Sequence, residues 1–119
     1  MSIYDIAFVG HMCYDEITPY GGKTTVTPGS AILCGAAVAA RIGKKVAVVT
    51  KMSETDKCIL KPLKDIAIKC FFIPSPETMY SVVIHPSANV DERRFILKRP
   101  LGLLATKEAY HCLLKSANI

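Results

Sequence analysis

The sequence predicts an α/β fold in which a parallel sheet with crossover helices carries a small β lid. An apolar strand-like run at 4–10 precedes an apolar helix-like run at 31–42 and a second strand-like run at 45–50. Strand, helix and strand in this order predict two parallel strands joined by a crossover. Segments rich in Thr, Gly and β-branched residues, at 16–27 and 78–97, predict the strands of the lid.

Length and composition indicate one small, well-packed domain that spans 1–119. Of the 119 residues, 50% are hydrophobic and 21% are charged, which excludes general disorder. The net charge is +5, but Lys and Arg occur singly or in pairs, so we predict no nucleic-acid partner. No apolar run approaches the roughly 20 residues that span a membrane, so we predict no membrane partner.

The five cysteines do not predict a disulfide framework. Their number is odd, and no two are spaced as Cys-x-x-Cys. Most of them lie in apolar stretches, so we expect buried thiols in a reducing cytosol. With no N-terminal leader visible, the sequence predicts a cytoplasmic location.

The first three elements follow from local signals. The continuous apolar run at 4–9 predicts a strand buried on both faces. Ser30 can cap the helix at 31–42, whose lack of a polar stripe predicts burial on most sides. Gly43 suits the left-handed position that ends a helix.

The later elements are predicted in the same way. Thr55 or Asp56 can cap a second helix near 57–68, which is expected to begin irregularly because it contains a proline. A short strand is predicted at 70–73, and a last helix at 106–116. The polar loop within 78–97 predicts a β-hairpin there.

Asp15 is the first candidate for a ligand-binding residue. A carboxylate accepts hydrogen bonds from two adjacent hydroxyls, which suits a sugar or a polyol. The alternative is an acid in a solvated loop. Gly29 and Ser30 are the second candidates, because a glycine allows close approach of a ligand and a helix start offers unpaired N–H groups. The alternative there is a plain turn and cap.

Two other motifs are weaker. Gly21 and Gly22 with Lys23 suggest a phosphate loop, but Walker spacing is missing, so a turn of the lid is favoured. His11, Cys13 and Asp15 alternate after the first strand, but three such residues are weak evidence for a metal, and we predict none.

In their order and spacing, four stretches resemble the N-terminal part of a ribokinase-like (PfkB) carbohydrate and nucleoside kinase. They are 6–10 with Asp15, 28–43, 45–49 and the hairpin at 78–97. The resemblance implies a kinase that transfers the ATP γ-phosphoryl group to a hydroxyl of a sugar, polyol or nucleoside. It also implies substrate contacts at four positions, which are Asp15, Gly29, Ser30 and Cys34.

The sequence departs from the family pattern at three positions. Ser30 stands where the family usually has a second Gly, Cys34 where it has Asn, and Ser53 where it has Gly. Because a thiol is a poor hydrogen-bond donor, the alternative for Cys34 is a position in the core.

The family's catalytic base belongs to a Gly-Ala-Gly-Asp motif that does not occur in this sequence. We therefore predict a fragment with no catalytic residue and no activity by itself. A full-length member is expected to use ATP and Mg²⁺, and this chain is expected to bind neither.

A non-catalytic interaction module derived from the same fold is the alternative function. The predicted lid strands would offer free edges, so a homodimer formed through the lid is also expected. The small-molecule partner predicted by the kinase reading is a sugar or polyol.

Overall fold

The computed structural model describes residues 3–99, which form two sheets and a small helical layer. The strands are Ile6–Val9 (β1), Cys13–Thr18 (β2), Thr25–Gly29 (β3), Val46–Met52 (β4), Lys69–Pro74 (β5), Met79–Ile84 (β6) and Arg94–Arg99 (β7). One sheet is parallel with the order β1-β4-β5, and the other has the order β3-β2-β6-β7. The predicted α/β class with its parallel sheet is confirmed.

The crossover from β1 to β4 runs through β2 and β3 of the second sheet and then through the helix α1, Ala31–Arg41. This helix packs on the parallel sheet. Its buried residues are Ile32, Ala36 and Ala39, which follow the spacing of one helical face. Gly35 allows close packing, because a Cβ there would lie 2.7 Å from the Phe8 ring. The main core is formed by Met12, Ile32, Ala36, Ala39, Val46, Val48, Met52, Ile59, Leu60, Leu63 and Ile68.

The prediction that this helix is buried on most sides is wrong. Cys34 is exposed, and Val38 and Ile42 are 62% and 70% exposed. The physical reason is that the helix touches the sheet with one face, and no described element covers the other. Gly43 has a φ of 88°, which confirms the left-handed position at the helix end.

The prediction that β1 is buried on both faces is also wrong. β1 is an edge strand that pairs only with β4, with Ile6 opposite Val46. Ile6, Ala7 and Val9 are exposed, and only Phe8 is half-buried. A parallel strand of this composition normally has neighbours on both sides and a layer on each face, but within residues 3–99 β1 has one neighbouring strand and a helix against its Phe8 face only.

The segment after β4 is a 3₁₀ helix, Glu54–Leu60, followed by the short helix α2, Lys61–Lys64. The predicted irregular start is confirmed, because Asp56 has the non-helical angles φ −103° and ψ 22°. The predicted cap is wrong: Ser53 takes the N-cap position without a side-chain capping bond, rather than Thr55 or Asp56. Asp56 instead accepts hydrogen bonds from Tyr14 of β2 and from Thr78, which directly precedes β6.

The remaining strand predictions are confirmed. β6 and β7 pair in antiparallel fashion and form the predicted hairpin, and β5 covers the predicted strand at 70–73. The Gly21 and Gly22 turn joins β2 to β3, with the Gly22 N–H donating to the Pro19 carbonyl at 3.1 Å. The helix predicted at 106–116 lies outside the described residues.

The cysteines divide by burial. Cys13 is buried and Cys70 is half-buried, but Cys34 and Cys58 are exposed, so the expectation of buried thiols is wrong for those two. All four are free thiols, and Cys112 lies outside the described residues. No helix within residues 3–99 is long and apolar enough to cross a membrane.

Candidate functional site

The chain leaves the carboxyl end of the parallel sheet to enter the second sheet. After β1 ends, residues 10–12 lead directly into β2, and the Met12 N–H donates to Thr50 Oγ1 at 2.7 Å. Both groups are fully buried, so this bond fixes the start of β2 beside the end of β4. Ligands of open α/β sheets bind at this carboxyl edge, and the residues that begin β2 therefore face the expected position of a site.

Asp15 lies within β2 rather than in a loop, which contradicts the alternative of a solvated loop acid. β2 pairs with β6, and Ser81 is its neighbour in that register. Ser81 Oγ donates to Asp15 Oδ1 at 2.6 Å, and Cys13 Sγ donates to the same oxygen at 3.2 Å. These two bonds orient the carboxylate and leave Oδ2 without a hydrogen bond among residues 3–99.

Gly29 meets this carboxylate across the strand pair β2–β3. A Cβ at Gly29 would collide with Asp15 Oδ2 and would lie 2.6 Å from Asp15 Cγ. The position is buried, so glycine is required for space rather than for its dihedral angles. The structure thus brings together Asp15 and Gly29, as the sequence predicts for a shared site.

Ser30 stands at the N-cap position of α1 in an unusual conformation. Its φ of 129° and ψ of 164° fall in a region that is essentially restricted to glycine. Its side chain makes no capping bond, so the capping prediction is wrong, and its Oγ lies 3.9 Å from Met12 Sδ. Backbone strain of this kind is concentrated at functional sites.

Cys34 lies one turn further along α1, where its N–H bonds to the Ser30 carbonyl at 3.4 Å. The thiol is exposed, so the alternative of a core cysteine is wrong. No contact in the structure joins it to Asp15, and its role in substrate binding remains a prediction.

Cys13 remains a neutral thiol. Burial, then the hydrogen bond to Asp15 and the charge of that carboxylate, together raise the pKa of Cys13 to about 12. A protonated thiol donates, so Cys13 supports Asp15 as a hydrogen-bond donor and is not a nucleophile at neutral pH.

The open side of Asp15 faces a cavity of about 340 Å³. This volume is at the lower end of the range of about 300–1,000 Å³ found for small-molecule sites. The cavity is lined by Asp15, Ser81, Val83, Arg93 and Phe95. The sequence does not indicate Ser81, Val83 or Phe95 as ligand contacts, since only the register of β2 with β6 brings their strands to the acid.

A larger cavity of about 440 Å³ lies elsewhere, between the end of α1 and the turn after α2. Its lining includes Gly43, Val46 and Lys69, which lie where β4 and β5 begin. Because this is the amino edge of the parallel sheet, it is the wrong end for a ligand of an open α/β sheet. We therefore place the candidate site at the smaller cavity.

A buried network joins the second sheet to the 3₁₀ helix. Thr78 Oγ1 donates to Asp56 Oδ2 at 2.7 Å and accepts the Ser53 N–H at 3.0 Å. Tyr14 OH donates to Asp56 Oδ1 at 3.2 Å. Burial, followed by the charge of Asp56, raises the pKa of Tyr14 to about 12. The network fixes the relative position of the two sheets that border the site.

No metal site stands out within residues 3–99, because no three His, Cys, Asp or Glu side chains converge there. His11, which alternates with Cys13 and Asp15 in the sequence, has a buried Nε2 with no hydrogen-bond partner among these residues.

Among known proteins, only solved structures match this chain. No protein-family model and no curated protein matches the sequence. Among solved structures, a pyrophosphate-dependent kinase in the ribokinase family, complexed with sulfate, is 23% identical with a TM-score of 0.78. The match covers 87% of this chain and 36% of that chain.

Two further structures agree. Fructokinase from Vibrio cholerae O395 is 21% identical with a TM-score of 0.64, covering 82% of this chain and 35% of that chain. A pyrophosphate-dependent myo-inositol-1 kinase converted into a myo-inositol-3 kinase is 28% identical with a TM-score of 0.60, covering 64% of this chain and 27% of that chain.

This chain therefore has the fold of the ribokinase-family sugar kinases, as the resemblance of its sequence implies. It spans about a third of the length of the solved structures that it matches.

Proposed function

We propose that this chain is the acceptor-binding portion of a sugar or polyol kinase of the ribokinase type. Such an enzyme moves the γ-phosphoryl group of ATP to a hydroxyl of its acceptor. The observation that carries the proposal is the Asp15 carboxylate, which packs against Gly29 and lines a cavity on the second sheet.

The chemistry of the carboxylate suits a polyhydroxylated molecule. Ser81 and Cys13 hold Oδ1, so the oxygen that remains, Oδ2, can accept a hydroxyl of the acceptor. A hydrogen bond to a charged acceptor contributes about 1.5–3 kcal/mol net. Gly29, which packs against Asp15, and the adjacent Ser30 would orient the acceptor through backbone groups.

The phosphoryl donor would bind outside the described residues. We propose ATP with Mg²⁺, although three of the structural neighbours are pyrophosphate-dependent kinases. Residues 3–99 do not fit a Mg²⁺ site, because no three suitable ligands converge in them. Phosphoryl transfer requires donor positioning and charge stabilisation, so we expect no transfer by the 119-residue chain alone.

Calorimetric titration with myo-inositol and with fructose tests the proposal. In the variant Asp15→Asn, we expect affinity to fall about tenfold or more, because the charge-assisted bond is lost. Glu16→Gln is the matched control: this neighbouring acid lies on the opposite face of β2 and accepts a hydrogen bond from Tyr80 at 2.7 Å. Equal affinity in the wild type and Asp15→Asn, or no binding of either sugar, contradicts the proposal.

An interaction module without catalysis is the second candidate, and the exposed apolar residues of β1 and α1 favour it. Ile6 and Val9 are 40% and 47% exposed, and Val38 and Ile42 are more exposed still. Exposed apolar groups of this kind can mark surfaces that bind another protein. A stable dimer with no affinity for sugars would favour this candidate over the kinase.

We also propose that the sheet β3-β2-β6-β7 acts as a lid and pairs with a second copy. Its edge strands are β3 and β7, and Val26 and Ile96 are exposed. By alternation along the strands, both side chains lie on the face opposite Asp15. If so, Ile96→Glu should abolish a dimer seen by sedimentation, whereas the loop variant Val90→Glu should retain it; a dimer that survives Ile96→Glu contradicts this interface.

A further inference from the structure

A cation, Arg93, borders the candidate site and has no ion-pair or hydrogen-bond partner among residues 3–99. Arg93 immediately precedes β7 and lines the same cavity as Asp15. Its side chain is exposed, and it takes part in no hydrogen bond or ion pair found within residues 3–99.

No acid in the cavity wall or in the loop forms an ion pair with Arg93 among residues 3–99. Glu92, its neighbour in sequence, accepts a hydrogen bond from Ser87 Oγ at 2.7 Å. Asp15 is held by Ser81 and Cys13. Within residues 3–99 the guanidinium is therefore not paired with a carboxylate, and it is available to a ligand.

The cavity thus combines two recognition groups of opposite charge. The carboxylate of Asp15 accepts hydroxyls, and the guanidinium of Arg93 presents a planar fork of donors that matches the oxygens of a phosphate or carboxylate. Phe95, which is 65% exposed, adds an apolar wall to this cavity. A neutral polyol would use the carboxylate and leave the guanidinium without a partner.

We propose that the acceptor is a sugar or polyol that already carries an anionic group, and that Arg93 binds that group. This inference rests on the proposed function and narrows its substrate class. Arg93 acts as a specificity-determining residue: it selects the anionic acceptor and takes no part in phosphoryl transfer.

Paired probes separate the contributions of the two charged groups. The 119-residue chain is titrated by calorimetry with fructose, fructose 6-phosphate and gluconate at low ionic strength. In the wild type we expect fructose 6-phosphate, or gluconate, to bind about tenfold more tightly than fructose, as one charged contact would give. The same preference should weaken with added salt, because the cation is exposed.

Three variants carry the test. Arg93→Gln removes the charge and should reduce the preference for the anionic probe to about threefold or less, with fructose affinity unchanged. Arg94→Gln is the matched control, because Arg94 of β7 pairs with Ile84 of β6 and does not line the cavity. It should retain the wild-type preference. Arg93→Lys should give an intermediate preference, since charge remains but the fork is lost.

The outcomes distinguish this inference from the proposed function. If all three probes bind with equal affinity in an Asp15-dependent manner, the inference is overturned and the proposed function stands. Equal loss of the anionic preference in Arg93→Gln and Arg94→Gln also overturns it, because general surface charge would then be the cause. If no probe binds, both the inference and the proposed function fail.

Discussion

Ser30 has a backbone conformation that serine rarely adopts, and it does so next to the acid of the candidate site. At φ 129° and ψ 164° its Cβ crowds the backbone, a strain of about 1–3 kcal/mol. The weak contact of Oγ with Met12 Sδ does not compensate for this. The turn that follows Gly29 is thus held in place by its surroundings rather than by the preference of its own residues.

Ser30→Gly should therefore stabilise the chain. Relief of strain outweighs the entropy of the added glycine, about 0.5–1 kcal/mol, and leaves a gain of about 1 kcal/mol. The melting temperature, measured by circular dichroism, should rise by about 4 °C.

Ser53→Gly is the control for this prediction. Ser53 has ordinary angles, φ −71° and ψ 140°, and its hydroxyl bonds to Thr55 at 2.9 Å. Replacement there should lower the melting temperature. If Ser30→Gly melts at or below the wild-type temperature, Ser30 is not strained.

Single residues of the site differ in how far the sequence predicts them. Asp15 and Gly29 follow from residue chemistry and from their places beside strand and helix. Ser81 and Arg93 do not, because their proximity to Asp15 depends on the parallel register of β2 with β6. That pairing joins strands more than 60 residues apart, and no local pattern specifies it.

At the scale of elements, the junction between the two sheets depends on a few buried polar groups. Thr78 is fully buried and bonds at once to Asp56 and to the Ser53 N–H. It lies just before β6, so it fixes the strand that supplies Ser81 to the site. The sequence places a cap at Asp56 because Asp favours helix starts; the tertiary bond to Thr78 replaces that local role.

Thr78→Val should destabilise the chain by about 2 kcal/mol, because two buried groups lose their partner while the side-chain shape is kept. Urea unfolding followed by circular dichroism measures the change. Thr24→Val is the matched control, since Thr24 is exposed and bonds only to Thr18 at 2.7 Å; its effect should stay within about 0.5 kcal/mol. Similar effects of the two variants would show that the network does not secure the junction.

Elements with a strong local pattern match their predictions. The apolar alternation and the bounding turns indicate β5 and the hairpin β6–β7 correctly. The exposed faces of β1 and α1 do not follow from composition, because apolar content predicts burial without saying which part of a protein provides it. The described chain leaves those faces uncovered.

At the scale of the whole molecule, the parallel sheet of residues 3–99 is exposed mainly at β1. Helices cover one face of it, where Phe8, Val46 and Val48 join the core. On the other face Ala47 and Val49 of β4 are buried, but Ala7 and Val9 of β1 are exposed, and β1 has a free edge within these residues. The matched structures, of which this chain covers about a third, contain further chain that could cover such a surface.

Val9→Lys should reduce self-association of the isolated chain through this face. The 47% exposed valine contributes apolar area that a lysine replaces with charge, so the association constant should fall about tenfold. Sedimentation velocity over a concentration series measures it. Val90→Lys, at a loop position that is 79% exposed, should leave association unchanged. A chain that associates equally in both variants uses another surface.

The acceptor site around Asp15 is tested most directly by NMR. The ¹⁵N-labelled chain is titrated with myo-inositol, and the changes in its amide chemical shifts are mapped onto the structure. We expect saturable changes in the amide chemical shifts of Asp15, Gly29 and Ser81, and we expect these changes to be lost in Asp15→Asn. Shifts confined to the cavity near Gly43 and Lys69, or no shifts at all, would contradict it.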